Sequence, residues 1–123
     1  MDCQLRSADR AFFDGDATMV VAHSPRGEFA IMDGHAPLLG VLGPGPVRIH
    51  TDTGTQVFAC GNGTVRTTGD LVHLLVESAV PVDQIDLSSV ETRMAELDDR
   101  DDTASEDERK HLALLRDVKE RYG

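Results

Sequence analysis

The sequence predicts a mainly-β protein with an α tail. Residues 1–82 read as an N-terminal β-sandwich of about eight to ten strands, and residues 83–123 as an antiparallel two-helix hairpin. Three observations predict this. All five prolines, and every glycine but Gly123, fall in the first region, which punctuates it as short strands and turns are punctuated. Apolar residues in that region recur at period two or in short runs. In the second region there is no proline, and the apolar residues fall at helical spacing.

Taken in order, Cys3-Gln4-Leu5-Arg6-Ser7 alternates at period two. Ala11-Phe12-Phe13 is a short strand ended by Asp14-Gly15-Asp16. Thr18-Met19-Val20-Val21-Ala22 is a buried strand, closed by Ser24-Pro25-Arg26-Gly27. Phe29-Ala30-Ile31-Met32 is the next strand. Gly34 then gives a permissive hinge, and Pro37 holds Ala36 extended. Gly43-Pro44-Gly45 is a rigid turn into Val47-Arg48-Ile49-His50, and Thr51-Asp52-Thr53-Gly54 signals a hairpin answered by Gln56–Cys60. Gly61-Asn62-Gly63 turns the chain into Thr64–Thr67, and Gly69-Asp70 turns it again into Leu71–Val76.

Pro81 ends the last strand, and Val82–Asp86 is the linker. Ser88-Ser89-Val90-Glu91 has capping-box spacing, which predicts a first helix capped by Ser88. Val90, Met94 and Leu97 share one face of it, and Glu96 precedes Arg100 by about one turn in the favourable order. Asp98–Asp102 is a solvated turn. Ser105-Glu106-Asp107-Glu108 repeats the capping-box spacing, with acids at the positive end of the helix dipole. Leu112, Leu115, Val118 and Tyr122 form the second stripe. Helices this short need a surface to pack on.

Composition excludes several function classes. With 22 acidic and 12 basic residues the formal charge is −10, which argues against a nucleic-acid partner, since that needs a basic footprint. Two cysteines, Cys3 and Cys60, make neither a disulfide framework nor a metal cluster, and read as small buried thiols. No run approaches the length of a membrane span, and the first residues lack an apolar signal core. The reading is a cytosolic protein that reaches a membrane only through partners.

Catalytic chemistry finds no local signature. The histidines, His23, His35, His50, His73 and His111, form no metal-spaced pair, so no metal is expected. There is no Gly-x-Ser-x-Gly, and Ser88, Ser89 and Ser105 are explained as helix caps. Pro44 lacks the N–H that a phosphate-cradling loop requires. Asp98–Asp102 lacks the glycine and terminal Glu of a calcium loop. No cofactor is expected.

The most unusual stretch is Gly27–Leu39, GEFAIMDGHAPLL, followed by Leu42-Gly43-Pro44-Gly45 and Val47-Arg48-Ile49. It resembles the epsilon subunit of F-type ATP synthases. That family carries Gly-Glu-x-Gly-Ile-x-Pro-Gly-His-x-Pro-Leu-Leu ahead of a Pro-Gly-x-Val/Ile-Arg-Ile strand. Ala30 and Asp33 depart from the pattern, and the rest stands in register. Phe58–Val65 and Leu71–Ala79 resemble later strands of the family, with Asn62 and Thr64 departing, and the tail resembles it in layout.

The resemblance implies a noncatalytic rotor subunit, peripheral at the cytoplasmic face of the plasma membrane. Its β-domain would clamp the gamma shaft and rest on the c-ring. Its hairpin would fold back or extend toward the alpha and beta subunits and oppose ATP hydrolysis. Glu28, Gly34 and His35 match the family loop that faces ring and shaft, and are the expected interface residues. Arg109, Lys110 and Arg116 are the tail cations for catalytic-subunit contacts, although the tail's charge of −6 disfavours strong inhibition. Some members bind ATP through Ile/Leu-Asp-x-x-Arg-Ala. Here Ile85 and Asp86 match, while Ser89 and Val90 replace the Arg and Ala, which implies weak or absent ATP binding. The departures at Ala30, Asp33, Asn62 and Ser89 leave open a divergent or alternative-operon form. The reading from another class is a stand-alone β-barrel enzyme or sensor for a small molecule, with His35, His73 and Glu77 lining a pocket.

Overall fold

A computed structural model describes residues 1–123. Ten strands build two five-stranded sheets, and two helices follow. The strands are β1 (Asp2–Arg6), β2 (Ala11–Asp16), β3 (Met19–Ser24), β4 (Gly27–Met32), β5 (Leu38–Leu42), β6 (Gly45–Thr51), β7 (Gly54–Cys60), β8 (Gly63–Thr68), β9 (Leu71–Val76) and β10 (Ala79–Pro81). A single 3₁₀ turn, Val82–Gln84, leads into α1 (Leu87–Leu97) and α2 (Thr103–Tyr122).

The first sheet has the order β2-β1-β9-β8-β5, and the second β10-β7-β6-β3-β4. Only the β1–β9 pair is parallel. The period-two pattern works as expected from pleat geometry. Cys3 and Leu5 of β1, Val72, Leu74 and Val76 of β9, and Val47 and Ile49 of β6 point inward and are buried. They meet Val20, Ile31, Leu42, Phe58 and Val65 in the core between the sheets. Burial pushes the Cys3 and Cys60 thiols up to about 12, so both stay protonated.

The hairpin roofs the outer face of the second sheet. Ala59, Ile85, Val90, Leu97, Leu112 and Val118 form a separate buried cluster, joined by the half-buried Val57, Val80, Met94, Leu115 and Tyr122. The two apolar stripes thus pack on each other and on the sheet, where each short helix finds the tertiary support it lacks alone.

Three local expectations are corrected. Asp86, not Ser88, caps α1: its carboxylate accepts from the Ser88 N–H and the Ser89 hydroxyl, both at 3.0 Å. Asp102, not Ser105, caps α2, accepting from the Ser105 N–H at 2.7 Å, and Ser105 is buried inside the first turn. In each case the helix begins a few residues earlier, and an acid at that earlier position satisfies the orphan donors of the new first turn and adds its charge to the favourable end of the dipole. Hydrogen bonds from Ser89 and Ser105 hold the two carboxyls below the ordinary Asp range. Glu96 does not pair with Arg100, because α1 ends at Leu97. It accepts from Arg93 instead, and Arg93 also grips Glu108 of α2 bidentately at 2.7 and 3.0 Å.

Arg109 donates from α2 to the carbonyls of Leu97 and Arg100, satisfying the open end of α1 across the hairpin. Asp98–Asp102 is exposed throughout, as a solvated turn should be.

Candidate partner-binding surfaces

The loop between β4 and β5 is a tight polar turn at one end of the sandwich. Gly34 adopts a positive φ of 80°, which an L-residue rarely holds. Its N–H donates to the Gly69 carbonyl at 2.8 Å, and the His35 N–H donates to the Met32 carbonyl at 3.1 Å. His35 Nδ1 lies 2.6 Å from the Ala36 carbonyl oxygen. The N-terminal amine sits nearby, 2.9 Å from Asp16 and 3.5 Å from Asp33. Met32 and Leu38 flank the turn with exposed apolar side chains.

Glu28 is not part of that loop. It sits at the far end of β4, opposite His23 of β3, on the outer face of the second sheet. Arg48 of β6 pairs with it, and the Arg48 guanidinium carbon lies 5.4 Å from the Tyr122 ring centroid. Glu28 therefore belongs to the surface on which the hairpin docks. The structure brings Gly34 and His35 together and leaves Glu28 about six residues of strand away, roughly 20 Å. Among the tail cations, Arg109 is engaged in capping α1. Lys110 is exposed and Arg116 half-buried, and no ion pair of the chain uses either.

The largest uncovered feature was not read from the sequence. The outer face of the first sheet carries two rows running across four strands. One row is Leu39, Arg66, His73 and Gln4; the next is Val41, Thr64, Leu75 and Arg6. Leu39 is 77% exposed, Val41 64% and Leu75 49%, values that single out this face as apolar and bare. A shallow depression of about 330 Å³ lies between Leu39, Arg66, His73 and Leu75. The signal for it was present: in Leu38-Leu39 and Leu74-Leu75 two adjacent strand residues are apolar, and alternation forces one of each pair outward.

The pocket imagined for a stand-alone enzyme or sensor is not assembled. His73 lines the depression just described, Glu77 lines a different cleft with Asn62, Asp107, Lys110 and His111, and His35 lines neither. No three His, Cys, Asp or Glu side chains are gathered as metal ligands would be.

At the segment that resembles the ATP motif, a shallow hollow is lined by Val80, Gln84, Ile85, Asp86, Ser89, Val90, Leu112 and Leu115. No cation lines it, Lys119 nearby is engaged with the Val82 carbonyl, and Asp86 is committed to capping α1. Titration calorimetry with ATP is expected to give millimolar-scale binding or none; micromolar affinity would overturn this.

These features define the class: a ten-stranded β-sandwich carrying a docked helical hairpin, with one whole sheet face uncovered. Residues 1–82 match the family described as ATP synthase, Delta/Epsilon chain, beta-sandwich domain. The ATP synthase epsilon chain of Streptomyces griseus is 40% identical over 112 residues, covering 90% of each chain. That of Acinetobacter baylyi is 33% identical over 92 residues, 73% of this chain and 66% of its own. The fold also matches a chain of the Euglena gracilis mitochondrial ATP synthase (OSCP/F1/c-ring) with a TM-score of 0.78 at 17% identity, covering 97% of this chain and 78% of that one. A chain of the central stalk/c-ring structure of the Tetrahymena thermophila enzyme matches with a TM-score of 0.68 at 17% identity, over 96% of this chain and 95% of that one. The chain belongs to the ATP synthase epsilon-chain family.

Proposed function

We propose that this chain is a noncatalytic central-stalk subunit of an ATP synthase, and that it clamps the gamma shaft to the c-ring through its β-sandwich. One observation supports this above the others. The outer face of the first sheet is apolar at Leu39, Val41 and Leu75, basic at Arg6 and Arg66, and covered by nothing. A protein of charge −10 that reserves such a face has it available for another polypeptide. We assign this face to the shaft and the exposed Gly34-His35 loop at the sandwich end to the ring. No helix is long and apolar enough to cross a membrane, so in this reading the membrane is reached through those partners.

The hairpin is the regulatory element of this reading. It rests on a small buried cluster and on tethers such as the Lys119 ammonium donating to the Val82 carbonyl at 3.2 Å. Departure of the hairpin would cost Glu28 the Arg48–Tyr122 stack behind its ion pair, while Arg109 would stay engaged in capping α1 within the hairpin. Lys110, exposed, and Arg116, half-buried, are in this reading the cations for acidic surfaces of the alpha and beta subunits. The tail's net charge of −6 keeps any such restraint weak.

The test is co-elution with the cognate gamma subunit on a sizing column, with and without residues 84–123. Both versions are expected to co-elute stoichiometrically, and Leu39→Glu is expected to weaken binding by about tenfold or more, since it removes the most exposed apolar side chain of the face and sets a carboxylate of the chain's own against Arg66. Absence of binding by the unaltered chain would remove the reading.

A further inference from the structure

Each sheet of an open sandwich has two edges, and a bare edge is a template for pairing with another strand. Three of the four edges here are blunted. Edge strand β2 carries Asp14 and Asp16. Edge strand β4 carries Glu28, held by Arg48. Edge strand β10 has three residues and ends in Pro81. The fourth, β5, reads Leu38-Leu39-Gly40-Val41-Leu42, with no charge and no proline. It pairs with β8 alone, and its other side has no ladder partner. Its outward side chains, Leu39 and Val41, are the most exposed large apolar residues of the chain.

We propose that the free edge of β5 accepts an added strand from the partner, an extended segment that carries an apolar and an acidic side chain two residues apart on one face and enlarges the first sheet. This rests on the rotor reading and specifies how the shaft is held. Main-chain hydrogen bonds to β5 supply the pairing, as in other strand-addition interfaces. An apolar side chain of the incoming segment lies beside Val41. An acidic one, two residues along on the same face, lies beside Leu39 and reaches past it to Arg66, which sits directly opposite Leu39 on β8. Arg66 has no carboxylate partner in the chain, only His73 Nδ1 at 3.3 Å from its guanidinium. An added strand would lie two strand spacings from β8, about 10 Å, a gap that an Arg and a Glu side chain together span. A second copy of the chain fits less well, because its own β5 edge carries no acid to answer Arg66.

The experiment is residue-resolved amide hydrogen exchange of the full chain, alone and bound to the cognate gamma subunit. In the free chain, β5 amides should alternate between slow ones bonded to β8 and fast ones facing the open edge. Binding is expected to slow the fast set by about tenfold or more. Stoichiometric complex formation with the fast set unchanged would overturn strand addition and leave the rotor reading in place. Absence of complex formation would overturn both. Slowing that rises with the concentration of this chain alone would assign the edge to a second copy and overturn the partner named here.

Discussion

Gly63→Ala is expected to destabilise the sandwich by about 3 kcal/mol, at the upper end of overpacking effects. Gly63 opens β8 and pairs with Leu42 on one side and Val76 on the other. A Cβ there would be driven into the Leu75 carbonyl oxygen and would lie 2.9 Å from Val76 Cα. The obstacle is backbone, not the end of a flexible side chain. It belongs to β9, which is held by ladders to β8 and β1, so relief would require shifting the centre of the first sheet. Gly69→Ala is the control: a Cβ there meets nothing within 4 Å, and the change should stay within about 0.5 kcal/mol. Urea unfolding of both variants decides the matter. A loss below about 1 kcal/mol for Gly63→Ala would mean that β8 and β9 separate more easily than their pairing implies.

Leu97→Ala is expected to cost about 2 to 5 kcal/mol, and to spend it on the tail. Leu97 is fully buried at the end of α1, in a cluster of only six buried residues that is distinct from the core between the sheets. Removing its side chain leaves a cavity that α1 and α2 cannot close without giving up the Arg109 caps at the Leu97 and Arg100 carbonyls. The hairpin should therefore come away while the sandwich persists. Limited proteolysis should cleave the variant within residues 83–123 and leave the β-domain resistant, with the unaltered chain protected throughout. Loss of the sandwich at the same protease concentration would show that the two parts unfold as one unit, and would weaken the proposal that the hairpin exchanges between docked and released states.

The strands were legible because alternation is a local property. Cys3 and Leu5, or Val72, Leu74 and Val76, announce an inward face without any knowledge of what they meet. The turn at Thr51–Gly54 and the positive φ at Gly34 were equally local, set by residue types at adjacent positions. The helices were legible from their stripes, but their caps were not. Ser88 and Asp86 were both candidate caps, and the helix began early enough that Asp86, where the linker enters extended, took the role and Ser88 became one of its donors.

Partner-seeking residues were the least legible. The motif match grouped Glu28 with Gly34 and His35. A strand places its two ends about 20 Å apart, and Glu28 was claimed by Arg48, twenty positions away in sequence and adjacent only across the sheet. The bare face exists only because β1, β9, β8 and β5 lie side by side, which lines up Leu39, Arg66, His73 and Gln4 from four distant parts of the chain.

By itself, then, the sequence determined which segments are strands and helices, which face of each is apolar, and, through one motif-bearing loop, the family. The tertiary structure alone decided which charges are already paired, which edge and face remain open, and where a glycine cannot be replaced. The reason is range. Dihedral preference and side-chain alternation act over a few residues, whereas ion pairs, caps between helices and close backbone approach depend on which distant segments the topology makes neighbours.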